Sequence, residues 1–176
     1  MVSIGAVFIL MRKILYTLLL VTLGACTNIE CPLDNIVVMT GGLYNAEDGK
    51  VTTLHDNELS ITSADGEYVL LNRVKDISSF EIPLRQGVGN DTLLFWLENS
   101  VGQVAVDTLF LQYTDSPHFE SLDCPAALFH SLKEARCTSH PLSELPLTLH
   151  KVEIVRSLVD YDDVENLKIY LRSTAQ

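Results

Sequence analysis

Histidine and serine side chains are the first residues of this chain to consider for chemistry, because they act as bases and nucleophiles in hydrolases. The histidines are scattered over expected strands and loops: His55, His118, His130, His140 and His150. Ser139 and His140 are adjacent, but neighbours along a strand point to opposite faces. The sequence contains no GxSxG, HExxH, paired CxxC or phosphate-binding glycine loop. We therefore expect half-exposed, structural histidines, no catalytic residue and no cofactor.

Two acidic loops carry the oxygen ligands that calcium prefers. They are Asn45–Gly49 and Asp160–Asp163. Neither loop has the twelve-residue order that ends in a bidentate glutamate. We expect solvated turns at both places, with calcium binding as the alternative.

Cys26 has the most specific surroundings of any reactive residue in the chain. It follows Leu23, Gly24 and Ala25, a run that resembles the bacterial lipobox. Small side chains fit the cleft of the signal peptidase, and a thiol is needed to accept the thioether-linked diacylglycerol. The pattern predicts lipidation of Cys26, and several acyl chains together make a stable membrane anchor. Thr27 stands where an aspartate marks retention in the inner membrane, which favours the outer membrane.

The residues before Cys26 have the order of a secretory signal. Two positive charges, Arg12 and Lys13, precede an apolar run over residues 14–23 and then two small residues. This order begins at Met11, so we predict that translation starts there and that residues 1–25 are a cleaved signal. The charges interrupt the apolar stretch, whereas a membrane span needs about 20 apolar residues in a row. Residues 26–30 are the lipidated tether, which holds the domain of residues 31–176 within about 20 Å of the bilayer.

Three cysteines remain when Cys26 is acylated, and an oxidising compartment favours disulfides. A bond between Cys31 and Cys124 closes a loop of roughly 90 residues, for which the chain-entropy model gives about 4–5 kcal/mol. The rival bond, Cys124 to Cys137, closes a short loop and contributes about 3 kcal/mol in the same model. A zinc site using Cys137 and His140 lacks the second pair of ligands that such sites show. We favour the longer loop and keep the shorter one open.

Composition and charge exclude some classes of function. The chain has 176 residues, of which 47 % are apolar, enough for one folded domain. Its formal charge is −11. Removal of the signal takes away Arg12 and Lys13 and none of the 23 Asp and Glu, which leaves −13. Nucleic-acid binding needs clustered Lys and Arg, so this class is excluded, and the lipid rather than charge must hold the domain at an anionic membrane.

Alternation of apolar side chains with a period of two dominates from Ile36 onward. Residues 93, 95 and 97 are apolar on one side of a strand, and Leu94 and Trp96 are apolar on the other. We expect this strand to be central and covered on both faces. Asp65-Gly66 predicts a hairpin between residues 59–62 and 68–71. The strand after residue 146 is expected to place Leu147, Leu149, Lys151 and Glu153 on one face.

Eight or nine such strands without helices predict an all-β fold. Its architecture is expected to be a single antiparallel β-sandwich of immunoglobulin-like type, with an open barrel as the lesser alternative.

Several segments together resemble a family of uncharacterised Bacteroidetes-type envelope lipoproteins with a mature β domain of about this length. The segments are Cys31-Pro32, Phe80–Leu84 before Asp91-Thr92, Leu109–Tyr113 leading to Phe119–Cys124, Thr148–Val155 and Glu165–Leu171. The resemblance implies that Cys31 and Cys124 are the recurrent pair, and Cys137 departs from it. It implies no enzyme, cofactor or partner.

The expected function is that of a non-enzymatic envelope lipoprotein, held at the outer membrane through Cys26 and facing the periplasm. Its expected role is to bind another envelope protein or to support an assembly. The alternative is a calcium- or carbohydrate-binding protein, or an enzyme whose residues converge only in the folded state.

Overall fold

A computed structural model describes residues 11–13, 31, 36–143 and 147–173. The chain divides into two compact units, Met1–Pro32 and Leu33–Gln176. Of the first unit the structure describes a helical turn at 11–13, which is exposed, and Cys31. The predicted signal outside that turn, the lipidation site Cys26 and the tether 26–30 lie outside the described residues. No helix in the described part of the chain is long and apolar enough to cross a membrane.

Ten strands make up the described part of the second unit, and the sequence pattern accounts for most of them. In chain order they are β1 (Val38–Asn45), β2 (Asn57–Ser63), β3 (Val69–Val74), β4 (Ser79–Pro83), β5 (Asn90–Asn99), β6 (Val104–His118), β7 (Ala127–Cys137), β8 (Leu147–Ile154), β9 (Leu158–Val159) and β10 (Leu167–Ser173). The long pairing of β6 with β7 was not predicted, because β7 lacks a regular apolar alternation in sequence.

The strands form two sheets, which confirms the predicted β-sandwich. One sheet has four strands in the order β4-β1-β10-β8, and the other has six in the order β3-β2-β5-β6-β7-β9. This is the sandwich architecture that immunoglobulin-like domains share, with its own strand order. One pair differs from the expected antiparallel pattern, since β1 runs parallel to β10. A parallel pair needs a long crossover, which the intervening strands supply here.

The core lies between the inner faces of the two sheets. On β5 the inner residues are Leu93, Phe95 and Leu97, none of which is more than 2 % exposed. The ring of Phe95 meets that of Phe80 on β4 edge to face, with centroids 5.7 Å apart, and so joins the two sheets. The prediction of a central strand is confirmed, because β5 lies between β2 and β6. The expectation that its second face is also covered is wrong for the described residues, since Trp96 is 38 % exposed.

Two local features show how backbone geometry follows from particular residues. Gly66 has a φ of +76° in the turn between β2 and β3, a region that glycine enters without steric cost, and the predicted hairpin is confirmed. Gly41 on β1 lies against Phe80, and a Cβ atom there would be 2.5 Å from the tip of the ring. The first glycine permits the turn, and the second permits the close packing of β1 on β4.

A β-bulge changes the predicted alternation of β8. Tyr170 pairs with Lys151 but Leu171 pairs with Leu149, so His150 is an extra residue. After the bulge Lys151 and Glu153 point outward, whereas Leu149 is buried. The strict alternation expected from the sequence is therefore wrong beyond Leu149, because an inserted residue exchanges the two faces.

The cysteines agree with the favoured expectation. Cys31 and Cys124 are disulfide-bonded, and Cys137 is a free thiol among the described cysteines. Because Cys137 is free, the rival bond between Cys124 and Cys137 is not formed in the described structure.

The two faces of β5 are expected to differ sharply in their contribution to stability. Phe95→Ala leaves a cavity in the core and is expected to lower the free energy of unfolding by about 3–5 kcal/mol. Trp96→Ala on the adjacent, outward position is the matched control, with an expected loss of no more than about 1 kcal/mol. Urea denaturation followed by circular dichroism measures both. Equal losses would contradict the assignment of inner and outer faces.

Candidate functional site

The side of the six-stranded sheet that points away from the core is the most distinctive surface in the described chain. We call it the outer face and define it by nine outward residues in the middle of β2, β5 and β6, with Glu58 and Glu98 on the same side as its border: Ser60, Thr62, Thr92, Leu94, Trp96, Val104, Val106, Thr108 and Phe110. These side chains are apolar or hydroxylic, and none is ionisable. The outer face is thus an uncharged area on a strongly acidic protein.

The strand registers arrange the outer face in four levels along the strand direction. At one end Phe110 pairs with Thr92 and with Arg136 of β7. The next two levels pair Leu94 with Thr108, and Trp96 with Val106. At the far end Val104 pairs with Glu98, which in turn pairs with Glu58. The apolar centre is therefore bordered by an arginine at one end and two glutamates at the other.

The charged border of the outer face is internally paired. Arg73 Nε lies 2.7 Å from a carboxylate oxygen of Glu58, and its Nη1 lies 2.7 Å from one of Glu98. Lys75 adds a 2.8 Å contact to Glu58, and its hydrogen bond is the largest cause of the lowered pKa of that carboxyl. At the opposite end Arg136 contacts Glu134 at 2.8 Å. Each border cation thus has a carboxylate partner, which leaves little net charge around the centre.

Trp96 is held in one orientation at the middle of the outer face. Its indole Nε1 donates a hydrogen bond of 2.9 Å to Thr62 Oγ1 on β2. Trp96 and Val106 are each 38 % exposed and Val104 is 51 % exposed. An uncharged centre with aromatic residues and a charged border is the usual composition of a protein-binding surface.

The strongest polar cluster lies inside the sandwich, around Asp107 on the inner side of β6. Its Oδ2 accepts hydrogen bonds from the backbone N–H of Leu149 at 2.9 Å, from Thr148 Oγ1 at 2.9 Å and from His140 Nδ1 at 3.0 Å. Leu149 and Thr148 belong to β8, the edge strand of the four-stranded sheet. Asp107 therefore ties the edge of one sheet to the middle of the other.

The groups next to Asp107 do not form a nucleophile–base pair. Ser139 donates its hydroxyl proton to the carbonyl of Leu149, so it is turned away from His140. Burial is the main cause of the raised pKa of the Cys137 thiol, and the nearby Asp107 adds to it. The raised pKa disfavours the thiolate needed for attack. His140 Nε2 is buried and has no hydrogen-bond partner within the described structure. The arrangement stabilises the fold and contains no activated nucleophile.

A second polar cluster fastens the loop between β4 and β5. Asp91, 4 % exposed, accepts a hydrogen bond from the backbone N–H of Arg85 at 2.9 Å and also binds the Arg85 guanidinium. Tyr113 Oη lies 2.7 Å from the carbonyl of Arg85 and 2.9 Å from Asp91 Oδ2. Burial is the main cause of the raised pKa of Tyr113, with Asp91 adding to it. Next to this cluster His130, 1 % exposed, bonds Asp115 at 2.8 Å.

The expectation of half-exposed histidines is thus wrong for two of the five. The side chain of His130 is 2 % exposed and that of His140 is 7 % exposed, and each bonds an aspartate, because β6 carries Asp115 and Asp107 at positions that meet them. Sequence alternation placed Asp107 among the inward residues of β6, but its partner lies 33 residues away. The pairing could not be read from local spacing.

Carboxylates of the two loops considered as calcium sites pair with nearby Lys and Arg side chains. Asp48 accepts the backbone N–H of Lys50 at 3.0 Å and pairs with its ammonium at 3.2 Å. Asp160 and Asp162 each contact Arg156 at 2.8 Å. Among the described residues no group of three or more His, Cys, Asp or Glu side chains could hold a metal ion. The described carboxylates are therefore not arranged as a metal centre.

An open cleft of about 570 Å³ lies at one end of the sandwich. Its lining consists of seven residues with amide or hydroxyl side chains, three leucines, one valine, a histidine and an aspartate: Asn45, Thr52, Thr53, Leu54, His55, Asp56, Asn57, Asn99, Ser100, Val101, Leu147, Leu171 and Ser173. The only titratable members of this lining are His55 and Asp56. His55 is exposed and bonds Asp76 at 3.0 Å. The cleft can offer neutral hydrogen bonds to a ligand but places no paired acid and base.

Removal of the Asp107 carboxylate is expected to be strongly destabilising. Asp107→Ala leaves three buried donors without an acceptor, and each such donor costs about 1–3 kcal/mol. Because the costs of neighbouring groups are not additive, we expect the free energy of unfolding to fall by about 3 kcal/mol in total. Asp163→Ala, an exposed carboxylate, is the control and is expected to change stability by less than about 0.5 kcal/mol. Thermal and urea unfolding measure both. A loss below 1 kcal/mol for Asp107→Ala would contradict the role assigned to it.

The Cys137 thiol is expected to react slowly in the folded protein. Its raised pKa means that the thiolate fraction near pH 8 lies below that of an ordinary cysteine and increases only at higher pH. Iodoacetamide labelling of Cys26→Ser protein with its disulfide intact measures this rate. We expect labelling at least tenfold slower than in the same protein unfolded in urea, and equal rates would show that the thiol is open and unperturbed.

Comparison with known proteins gives one match. The model of a family described as "Family of unknown function (DUF6452)" matches residues 58–171, which is more than half of the chain and includes the outer face and both buried clusters. Searches of curated proteins and of solved structures found no match. The chain belongs to this family of unknown function.

Proposed function

We propose that this protein is a membrane-anchored, non-catalytic binding module of the bacterial envelope, an outer-membrane lipoprotein of Bacteroidetes type that faces the periplasm. The observation that carries the binding role is the outer face, an uncharged area centred on Trp96 in an acidic domain. Contiguous exposed apolar areas on soluble domains are often interaction sites. The partner is another protein, since an extended sheet face suits a protein surface better than a small molecule.

The anchor is supported by the sequence around Cys26. Three features agree in order and spacing with a secretory signal: the two positive charges at 12 and 13, the apolar run 14–23 and the lipobox-like run 23–26. Only residues 27–30 separate Cys26 from Cys31. With so short a tether, the lipid confines the domain to the membrane surface.

The non-catalytic role is supported by the state of the reactive groups. Ser139 and His140 form hydrogen bonds within the fold. The raised pKa of the Cys137 thiol disfavours its thiolate form. The aspartates of the two buried clusters hold strands and loops together. These contacts support a structural role for the two buried clusters.

A small polar ligand in the end cleft is the second candidate. The amides and hydroxyls of Asn45, Thr52, Asn57 and Asn99 are suited to a carbohydrate. The cleft is open and carries no tryptophan, tyrosine or phenylalanine in its lining on which a sugar ring could stack. This candidate is weaker than the outer face for that reason.

Loss of the anchor is expected to release the protein from the membrane. Cys26→Ser expressed in its native host should move from the membrane fraction to the soluble periplasmic fraction and lose labelling by radioactive palmitate. Cys137→Ser is the matched control and should stay lipidated and membrane-bound. A Cys26→Ser protein that still sediments with the membrane would contradict the anchor.

Contact through the outer face is expected in intact cells. A photo-crosslinking amino acid at Val104, 51 % exposed on the outer face, should give a covalent protein adduct. The same residue at Val155, which is 47 % exposed outside the outer face, is the matched control and should give none. Adducts at both positions, or at neither, would speak against the outer face as the binding surface.

A further inference from the structure

We propose that the loop between β6 and β7 inserts its apolar side chains into the membrane surface and so orients the anchored domain. This loop, called the β6–β7 loop, comprises residues 119–126, between the end of β6 at His118 and the start of β7 at Ala127. Its ligand is the surface of a bilayer of zwitterionic phospholipid. The inference rests on the proposed function, because the acylated Cys26 must first bring the domain to the membrane.

The β6–β7 loop holds two large apolar side chains away from the protein. Leu122 is 101 % exposed and Phe119 is 63 % exposed, so neither is covered by the core. Transfer of such side chains from water into the boundary between headgroups and acyl chains is favourable. Single exposed apolar residues are common on soluble domains. The feature that distinguishes these two is the position of their loop relative to the anchor.

The disulfide keeps the β6–β7 loop close to the point of lipid attachment. Cys124 in this loop is bonded to Cys31, which follows Cys26 by five positions. Five extended residues span at most about 18 Å. The disulfide adds about 6 Å between the Cα atoms of its two cysteines. The Cα atom of Cys124 therefore stays within about 24 Å of that of Cys26, whatever the direction of the tether.

The turn at the other end of β6 comes near the membrane only when the domain lies on its side. The 15 residues of β6 extend over roughly 45 Å. Val101, in the turn before β6, is 76 % exposed and so lies far from Phe119 and Leu122. Insertion of the β6–β7 loop favours an upright domain, with β6 directed away from the bilayer. This orientation leaves the outer face open to a protein partner from the side.

Aromatic rings form a packed base under the β6–β7 loop. The ring of His118 stacks on that of Phe129, with centroids 4.3 Å apart, and Tyr161 meets Phe129 edge to face at 5.2 Å. Tyr161 also lines a small cleft with Ile36, which is 64 % exposed just before β1. Aromatic rings with a polar edge are favoured at the level of the lipid headgroups. The base therefore suits that level when the tip of the loop is inserted.

The charges of the β6–β7 loop limit its depth and select the lipid. Its acidic residues are Glu120 and Asp123, and Glu120 bonds His118 at 2.8 Å. Charged groups are costly in the hydrocarbon region, so these carboxylates stay among the headgroups and the contact is shallow. The sequence has no Lys or Arg from residue 115 to residue 132. An anionic surface therefore repels the loop, and a zwitterionic one does not.

Fluorescence quenching from within the bilayer tests the proposal. Lipidated protein with Trp96→Phe, which removes the single native tryptophan, carries either Leu122→Trp or, as the matched control, Val101→Trp. Each protein is reconstituted in phosphatidylcholine vesicles with or without bromine atoms on the acyl chains. Bromine should reduce the emission of Leu122→Trp about twofold or more, because the loop reaches the acyl boundary. The emission of Val101→Trp should stay unchanged.

Flotation of the same vesicles separates this proposal from the proposed function. Protein that does not float with the vesicles overturns the anchor and the insertion together. Protein that floats with Leu122→Trp unquenched overturns the insertion and leaves the anchor in place. That result is also expected if a protein, rather than lipid, covers the loop. Equal quenching at both positions overturns the upright orientation and with it the proposal.

The lipid dependence and the folding of the variants complete the test. Phosphatidylglycerol added to the vesicles should weaken the quenching of Leu122→Trp, and stronger quenching would contradict the choice of a zwitterionic surface. Melting temperatures show whether each variant remains folded. Phe119→Trp replaces Leu122→Trp if the latter unfolds, with the same expected quenching.

Discussion

Alternation of side chains along β5 and β6 is the constraint on which both the core and the outer face depend. Successive residues of a strand point to opposite sides. When Leu93, Phe95 and Leu97 fill the core, the residues between them must point outward. Leu94 and Trp96 are therefore exposed on the outer face because their neighbours are buried. A six-stranded sheet that covers a four-stranded one has only one inner side, so a strand that is apolar on both sides keeps an apolar face toward solvent.

One edge of the sandwich, at β8, is held by polar groups. β8 ends the four-stranded sheet, and a free edge strand exposes unpaired backbone N–H groups. Asp107 accepts one of these, from Leu149, and takes Thr148 and His140 as further donors. The cluster of Asp91, Arg85 and Tyr113 has a similar effect on the loop between β4 and β5. Burial of these carboxylates is tolerated because each accepts several hydrogen bonds.

These clusters also bear on function. Residues that are reactive in enzymes are present, but the structure uses them to hold strands together. The outer face differs from these clusters, since it is neutral in an acidic domain. A protein partner bound at this face is the proposal that accounts for both the apolar strand and its missing cover among the described residues.

Local patterns in the sequence were sufficient for the sandwich class, the central position of β5, the inward residues of β6 and the hairpin at Asp65-Gly66. Each depends on residues close together in the chain, where side-chain periodicity and turn preference act directly. The parallel pairing of β1 with β10, the bulge at His150, the strand β7 and the bond between Asp107 and His140 required the tertiary structure. Thr40 and Asn166 illustrate the reason: they form a hydrogen bond across 126 positions, and no short window of sequence contains both partners. The sequence by itself determined which side chains each strand presents, and the folded structure decided which strands meet, because long-range pairing depends on the packing of the whole domain.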